Sequence, residues 1–203
     1  MKKILALTAT ALAAAITLAG CSTGSGGGSM PGMDHGTSTA TSGTTPGSTT
    51  AAGDHNSADT MFAQMMIPHH AQAIEMSDMI LAKKDIPATV TALAGRIKAA
   101  QGPEIEKMTG WLKAWNEPTQ MSGGHGMSGM MGDEDMKKLD AAQGTEAAKL
   151  FLTQMIAHHE GAITMARTET TDGKNPDAVA LAREIISAQE AEIKEMKDLL
   201  GTL

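Results

Sequence analysis

An internal duplication constrains the fold of this chain more than any other feature. Residues 62–76 read FAQMMIPHHAQAIEM, and residues 151–165, which lie 89 positions later, read FLTQMIAHHEGAITM. Each copy carries a His-His pair that follows a methionine by three residues. The segments further along also match, at an offset of 88, through the shared pattern Q-x2-EI-x2-M. The repeat predicts two related helical hairpins.

Each copy has the spacing of an amphipathic helix. In the first copy, apolar residues and one histidine recur at alternating spacings of four and three, so they share one helix face. They are Phe62, Met66, His69, Ala73, Met76 and Ile80. Long helices are predicted at about 57–84, 88–115, 145–169 and 176–200, with a short helix at 133–143. Because neither hairpin can bury its own apolar face, the predicted fold is all-α, a four-helix bundle from a duplicated αα-hairpin.

Local signals predict where these helices begin and bend. Ser57 or Asp59 is expected to cap the first helix, Thr145 the third long helix, and Asn175 the fourth. Pro68 removes a backbone donor inside the first helix, so a kink is expected just before the His pair. An aromatic content of only 2%, with 17 methionines, suits closely packed helices better than a β-sandwich.

The first 56 residues have a different character from the rest. Residues 1–20 combine two lysines with an apolar run and end in Leu-Ala-Gly before Cys21, the only cysteine. This ending resembles a bacterial lipobox, which implies a signal peptide cleaved before Cys21 and a lipid anchor on its sulfur. An ordinary secretory signal is the alternative. Residues 21–56 are predicted to be a flexible Gly/Ser/Thr tether, and residues 57–203 the folded domain on the extracytoplasmic face of a bacterial membrane.

The charge balance argues against a nucleic-acid partner. The whole chain has a formal charge of -7, and loss of Lys2 and Lys3 with the signal peptide leaves 14 basic against 23 acidic residues, a charge of -9. Such a chain repels phosphate backbones but is compatible with cation capture.

The two His-His pairs are candidate metal ligands. Residues three or four apart on a helix are neighbours, so Met66 can share an ion with His69 or His70, as Met155 can with the second pair. Adjacent residues point about 100° apart, so one histidine of each pair is predicted to face the bundle interior and the other to flank it. The inward residues are His69 and His158, and the flanking residues are His70 and His159.

The ligand types favour a soft ion. Imidazole with thioether suits Cu(I) or Ag(I), whereas Mg, Ca and Mn prefer oxygen. A di-iron bundle would place Glu three residues before each His, where this chain has Met66 and Met155. Copper, as Cu(I), is therefore the predicted metal, and a catalytic step is not expected. Glu104 and Glu192 are expected to be solvated, yet a His/Glu metalloenzyme or ferroxidase would use them. A structural or partner-binding module, in which Met and His only pack, also stays open.

A second group of candidates is accessory. Met108 and Met196 lie on the apolar faces of the second and fourth helices. The Gly-rich loop at 116–132 carries closely spaced Met and His that could wrap a soft ion without preorganisation. These are Met121, His125, Met127, Met130 and Met131.

The pattern F-x3-MI-x-HH-x2-AI-x-M in both halves resembles a family of exported bacterial domains long catalogued as of unknown function. The resemblance covers residues 57–203. It implies a ferritin-like four-helix bundle and, from some members, copper binding and copper resistance. A copper donor or acceptor protein is an expected partner of a protein that transfers the metal. The metal-site residues that it implies are Met66, His69, His70, Met76, Met155, His158, His159 and Met165. The copies differ, with Pro68 against Ala157 and Met65 against Gln154, so equal occupancy of two sites is not expected.

Overall fold

The protein is all-helical where its structure is described. The computed structural model describes residues 53–121 and 127–203, in which no strand occurs, so the all-α prediction is confirmed. The predicted signal peptide, Cys21, most of the tether and His125 lie outside these residues. The helices are α1 (Ser57–Ala82), α2 (Ala88–Trp115), α3 (Asp133–Ala141), α4 (Gly144–Asp172) and α5 (Pro176–Leu200).

The two repeated helices form the centre of the bundle. α1 packs against α2, α4 packs against α5, and α1 and α4 pack against each other, whereas α2 and α5 make few contacts. The Asn56 side chain donates a hydrogen bond to the Asp172 carbonyl (2.9 Å), so the start of α1 lies beside the end of α4. The two copies of the His-His motif therefore meet on antiparallel helices.

The residues that cap two of the helices differ from those predicted. Asn56, not Ser57 or Asp59, caps α1: its side chain accepts from the amides of Ala58 and Asp59, while the Asp59 carboxylate accepts from the Asn56 amide. This reciprocal capping box satisfies donors that the first helical turn leaves free. The end of the predicted tether is thus part of the folded structure.

The second correction concerns α4, which begins at Gly144 after Gln143 and has no side-chain cap, so the prediction of Thr145 was wrong. Gly144 has a φ of +52°, which favours glycine and turns the chain sharply out of the α3–α4 connection. Asn175 does cap α5, through bonds from the amides of Asp177 and Ala178. α1 stays helical through Pro68.

The core divides into two clusters that the repeat relates to each other. The Phe62 cluster contains Phe62, Met66, Met108 and Met165, among other residues. The Phe151 cluster contains their repeat counterparts Phe151, Met155, Met196 and Met76. Antiparallel packing of α1 on α4 explains this exchange, because the start of one helix lies beside the end of the other.

The short helix α3 breaks the symmetry of the repeat. It lies across α1 and α4 at the Phe151 cluster, where its Leu139 is fully buried. The Asp135 carbonyl accepts from Gln154 (2.9 Å) and the Asp140 carbonyl from Lys83 (2.6 Å). At the Phe62 cluster the corresponding surface between α1 and α4 lines a cavity instead. In the part of the chain that the structure describes, no helix is long and apolar enough to cross a membrane.

Candidate metal centre

Four histidines meet where α1 crosses α4, and we call them the histidine centre: His69, His70, His158 and His159. Each is at most 1% exposed. The rings of His69 and His158 are in contact across the two helices, with 3.7 Å between their centroids and an angle of 38° between their planes. The prediction that these two histidines point into the bundle is confirmed.

The flanking histidines contact carboxylates on the outer helices. His70 Nε2 lies 2.7 Å from Glu104 Oε2 on α2, and His159 Nε2 lies 2.7 Å from Glu192 Oε2 on α5. The two carboxylates are 21% and 19% exposed, so the expectation that they are simply solvated was wrong. A carboxylate accepts a hydrogen bond, so the proton of each ring must sit on Nε2.

The loop that precedes α3 covers His69. His69 Nε2 donates to the Ser128 carbonyl (3.2 Å), and the Gln72 amide fixes the same loop by bonding the amide and the carbonyl of Met131 (2.7 and 2.8 Å). The loop lies directly on α4, because a Cβ on Gly161 would overlap the Ser128 carbonyl. Gly129, at φ +81°, supplies the turn beside it.

Replacing Gly161 with alanine is expected to displace this loop and lower the melting temperature by several degrees, because the added methyl group has no room against the Ser128 carbonyl. Thermal unfolding followed by circular dichroism measures the change. The matched control is Gly110→Ala on α2, where a Cβ meets nothing within 4 Å and alanine should stabilise the helix by up to about 1 kcal/mol. Equal melting temperatures for the two variants would contradict the tight loop contact.

Each histidine of the centre has a buried Nδ1 atom that makes no hydrogen bond. Nδ1 of His69, His70 and His159 is buried without a hydrogen-bond partner, and in His158 neither ring nitrogen has one. A neutral imidazole whose Nε2 carries the proton presents an unshared lone pair at Nδ1. Buried polar atoms without partners cost about 1–3 kcal/mol each, so a group that bonds to them would stabilise the fold.

Burial keeps the central pair neutral. Burial, reinforced by the neighbouring histidines, lowers the pKa of His69 to about 3 and the pKa of His158 to about 2. Both rings are therefore unprotonated at neutral pH, which is the form that ligates metal.

Methionines lie on both sides of the histidine centre. Met66 and Met165 belong to the Phe62 cluster, and Met155 and Met76 to the Phe151 cluster. Met66 and Met155, which precede the two His pairs, are thus separated along the bundle. Within residues 53–121 and 127–203, no three His, Cys, Asp or Glu side chains are arranged to hold one ion. The donors that the structure brings together are imidazole nitrogens, with thioethers in the adjoining clusters.

The accessory candidates divide between core and loop. Met108 and Met196 are fully buried, one in each cluster. Met131 packs on the Phe151 cluster, and Met127 and Met130 are half-buried in the loop that covers His69. Gln72 and Ser128 were not predicted. Gly129 and Gly161, which lie at the contact between this loop and α4, offered a signal for Ser128.

The fold and its centre define a class of protein: a duplicated helical hairpin whose two His-His motifs face each other in the core. Residues 59–200 match the model of the family described as domain of unknown function (DUF305), and the chain belongs to this family. The family resemblance inferred from the motifs is confirmed. No curated protein matches the chain.

Several solved structures are similar over most of this chain. The DUF305 protein of Streptomyces coelicolor, described as secreted, is 37% identical, with a TM-score of 0.69 over 72% of this chain and 93% of that one. A DUF305 fragment of Deinococcus radiodurans is 30% identical, with a TM-score of 0.68 over 73% and 98%. CopM in its Cu(II)-bound form is 36% identical, with a TM-score of 0.62 over 71% and 96%, and CopM is also known with Cu(I) and with Ag bound.

Proposed function

We propose that this protein binds copper, as Cu(I), at the histidine centre and serves copper sequestration, transfer or resistance in the cell envelope. The observation that carries the proposal is the set of buried, unpartnered Nδ1 atoms on facing helices. The metal-bound forms of CopM, a member of the same structural group, support copper and silver as the ions.

The proposed ligands divide by role. His69 and His158 supply the inner nitrogens, and His70 and His159 act as second ligands or orient the inner pair. Glu104 and Glu192 hold the flanking rings through Nε2, the way in which carboxylates orient metal-binding histidines in other proteins. The thioether ligands are Met66, Met76, Met155 and Met165. Nitrogen with thioether sulfur is a soft donor set that favours Cu(I) over hard ions.

Location in the envelope is part of the proposal. It is supported by the lipobox-like ending before Cys21 and by the description of the Streptomyces relative as a secreted protein. We expect Cys21→Ser to release the protein from the membrane fraction, because the variant lacks the sulfur that carries the lipid. Fractionation followed by immunoblotting measures this. A variant that sediments with membranes as the parent does would refute the lipid anchor.

The function is tested by metal-dependent stability. A ligand at 100 times its dissociation constant stabilises the folded state by about 2.7 kcal/mol, so Cu(I) or Ag(I) should raise the melting temperature by roughly 5–10 °C and Mg(II) should not. His69→Ala with His158→Ala should remove most of this rise while the helical signal persists. Calorimetry under anaerobic conditions measures the shift.

Two further variants separate ligand loss from loss of packing. Met66→Leu with Met155→Leu keeps the side-chain volume and removes two thioethers, so the metal-dependent rise should shrink although the fold stays intact. Met136→Leu on α3 makes the same chemical change away from the histidine centre and should have no effect. An undiminished shift in the double histidine variant would refute the site. A larger response to Fe(II) than to Cu(I) would favour the His/Glu metalloenzyme.

A further inference from the structure

A cavity of about 480 Å³ lies where the end of α2 meets the start of α1. His55, Met61, Glu117 and Met121 are among the residues that line it. Met61 is 48% exposed, which makes it one of the few large apolar side chains on the described surface. One imidazole, two thioethers and one carboxylate thus face a solvent-accessible space outside the histidine centre.

The residues around this cavity are held in place by specific contacts. The Gln64 side chain donates to the Pro118 carbonyl (2.7 Å), which ties the segment after α2 to α1 and brings Glu117 and Met121 to the cavity. The His55 ring stacks on Trp115, with 4.5 Å between centroids and 6° between planes. His55 Nε2 lies 3.8 Å from Glu117 Oε1.

We propose that His55, Met61 and Met121 form a second soft-metal site on the surface, with the Glu117 carboxylate balancing the charge of the ion. The proposal rests on the proposed function only for the class of ion, Cu(I) or Ag(I). Imidazole with two thioethers is a soft donor set. Its exposure to solvent implies weaker binding and faster exchange than at the histidine centre.

The second repeat has no equivalent of this site. The repeat counterpart of Met61 is Leu150, which packs on the Phe151 cluster, and the counterpart of Met65 is Gln154, which bonds to α3. The thioether positions of the first copy are therefore replaced in the half that α3 covers. Methionine is found at these positions only in the first copy, on the Phe62 side that α3 does not cover. There the side chain can contact an ion from solvent.

The surface site adjoins a route toward the histidine centre. Met61 also lines the cavity of about 620 Å³ between α1 and α4, together with Met65, Met165 and Ser128. Ser128 is the residue whose carbonyl contacts His69. The Asp172 carboxylate also lines this second cavity, and its charge suits a cation.

Tryptophan fluorescence gives a direct test of the surface site. The chain has two tryptophans, Trp111 and Trp115, which stack with 5.9 Å between centroids, and His55 lies on the second. Ag(I) bound beside Trp115 should quench the emission of the mature protein. Met61→Leu with Met121→Leu should shift the quenching curve at least tenfold toward higher Ag(I), because Leu keeps the volume and removes the sulfur. Met136→Leu should leave it unchanged.

The same titration distinguishes this site from the histidine centre. His69→Ala with His158→Ala should lose most of the metal-induced rise in melting temperature but keep the quenching curve. Absence of quenching in the parent, or an unaltered curve in the Met61/Met121 variant, would refute the surface site. Loss of quenching in the double histidine variant would also refute it, since the ion would then be acting from the histidine centre.

Discussion

Replacing Asp59 with alanine is expected to lower the free energy of unfolding by about 3 kcal/mol, one of the largest effects of any single substitution in this protein. The Asp59 carboxylate is fully buried and accepts hydrogen bonds from the amides of Asn56 (2.7 Å), Lys174 (3.0 Å) and Asn175 (2.8 Å). It thus joins the start of α1 to the turn between α4 and α5. Without it, three amides lose their acceptor.

Urea denaturation of the metal-free protein measures this effect. The control is Asp78→Ala, which removes an exposed carboxylate paired with Lys98 and should change the free energy of unfolding by less than about 1 kcal/mol. Asp59→Asn keeps one acceptor oxygen at the same place, so its loss of stability should lie between the two. Similar losses for Asp59→Ala and Asp78→Ala would show that the amides find other partners.

The second large effect is a fall in stability as the pH rises, and it originates at Glu169. This side chain is 1% exposed, and when protonated it donates a hydrogen bond to the Asp59 carboxylate. Burial, together with the neighbouring Asp59 and Asp172, raises the pKa of Glu169 to about 8 from 4.5. Between these two values the folded state holds a proton that the unfolded state has released. Stability therefore falls with rising pH, by about 1.4 kcal/mol per pH unit.

This slope is best measured between pH 6.5 and 8. Below pH 6.5 the buried His69 and His158 act in the opposite direction, because their lowered pKa values make the unfolded state bind more protons than the folded state. Denaturation of the metal-free protein at several pH values gives the free energies. Glu169→Gln, which mimics the protonated carboxyl, should flatten the profile from pH 6.5 to 8. A slope that persists in this variant would assign the effect to another group.

Strong local signals made some of the fold predictable from sequence. α2 and α5 begin and end where predicted, because Pro87 and the Asn175-Pro176 pair mark their starts clearly. The first helix begins at Ser57 as predicted, but its cap was assigned wrongly because Asn56 follows a Gly/Ser/Thr-rich stretch and looked like part of the tether. The cap of α4 was assigned wrongly because a glycine with positive φ, and no side-chain cap, begins that helix.

The candidate site was predictable in its residues but not in their arrangement. Helical spacing places His69 and His158 on inward faces, yet it does not give the register of α1 against α4. That register groups Met66 with Met165 and leaves Met155 in the other cluster. Glu104 and Glu192 seemed solvated because the spacing of one helix says nothing about a histidine on its neighbour. The glutamate recurs at the matching position of the repeat after each His-His motif, and this repetition was the sequence signal for a contact with the histidines.

The position of α3 is expected to affect how fast each copy of the motif exchanges metal. The copies are nearly alike in chemistry, but α3 covers the groove at Phe151, while the groove at Phe62 holds a cavity that reaches the loop over His69. We therefore expect thioethers on the Phe62 side to exchange metal faster than those on the Phe151 side. One short helix would then give the two halves of a duplicated bundle different roles. Metal would enter on the Phe62 side and be retained on the Phe151 side.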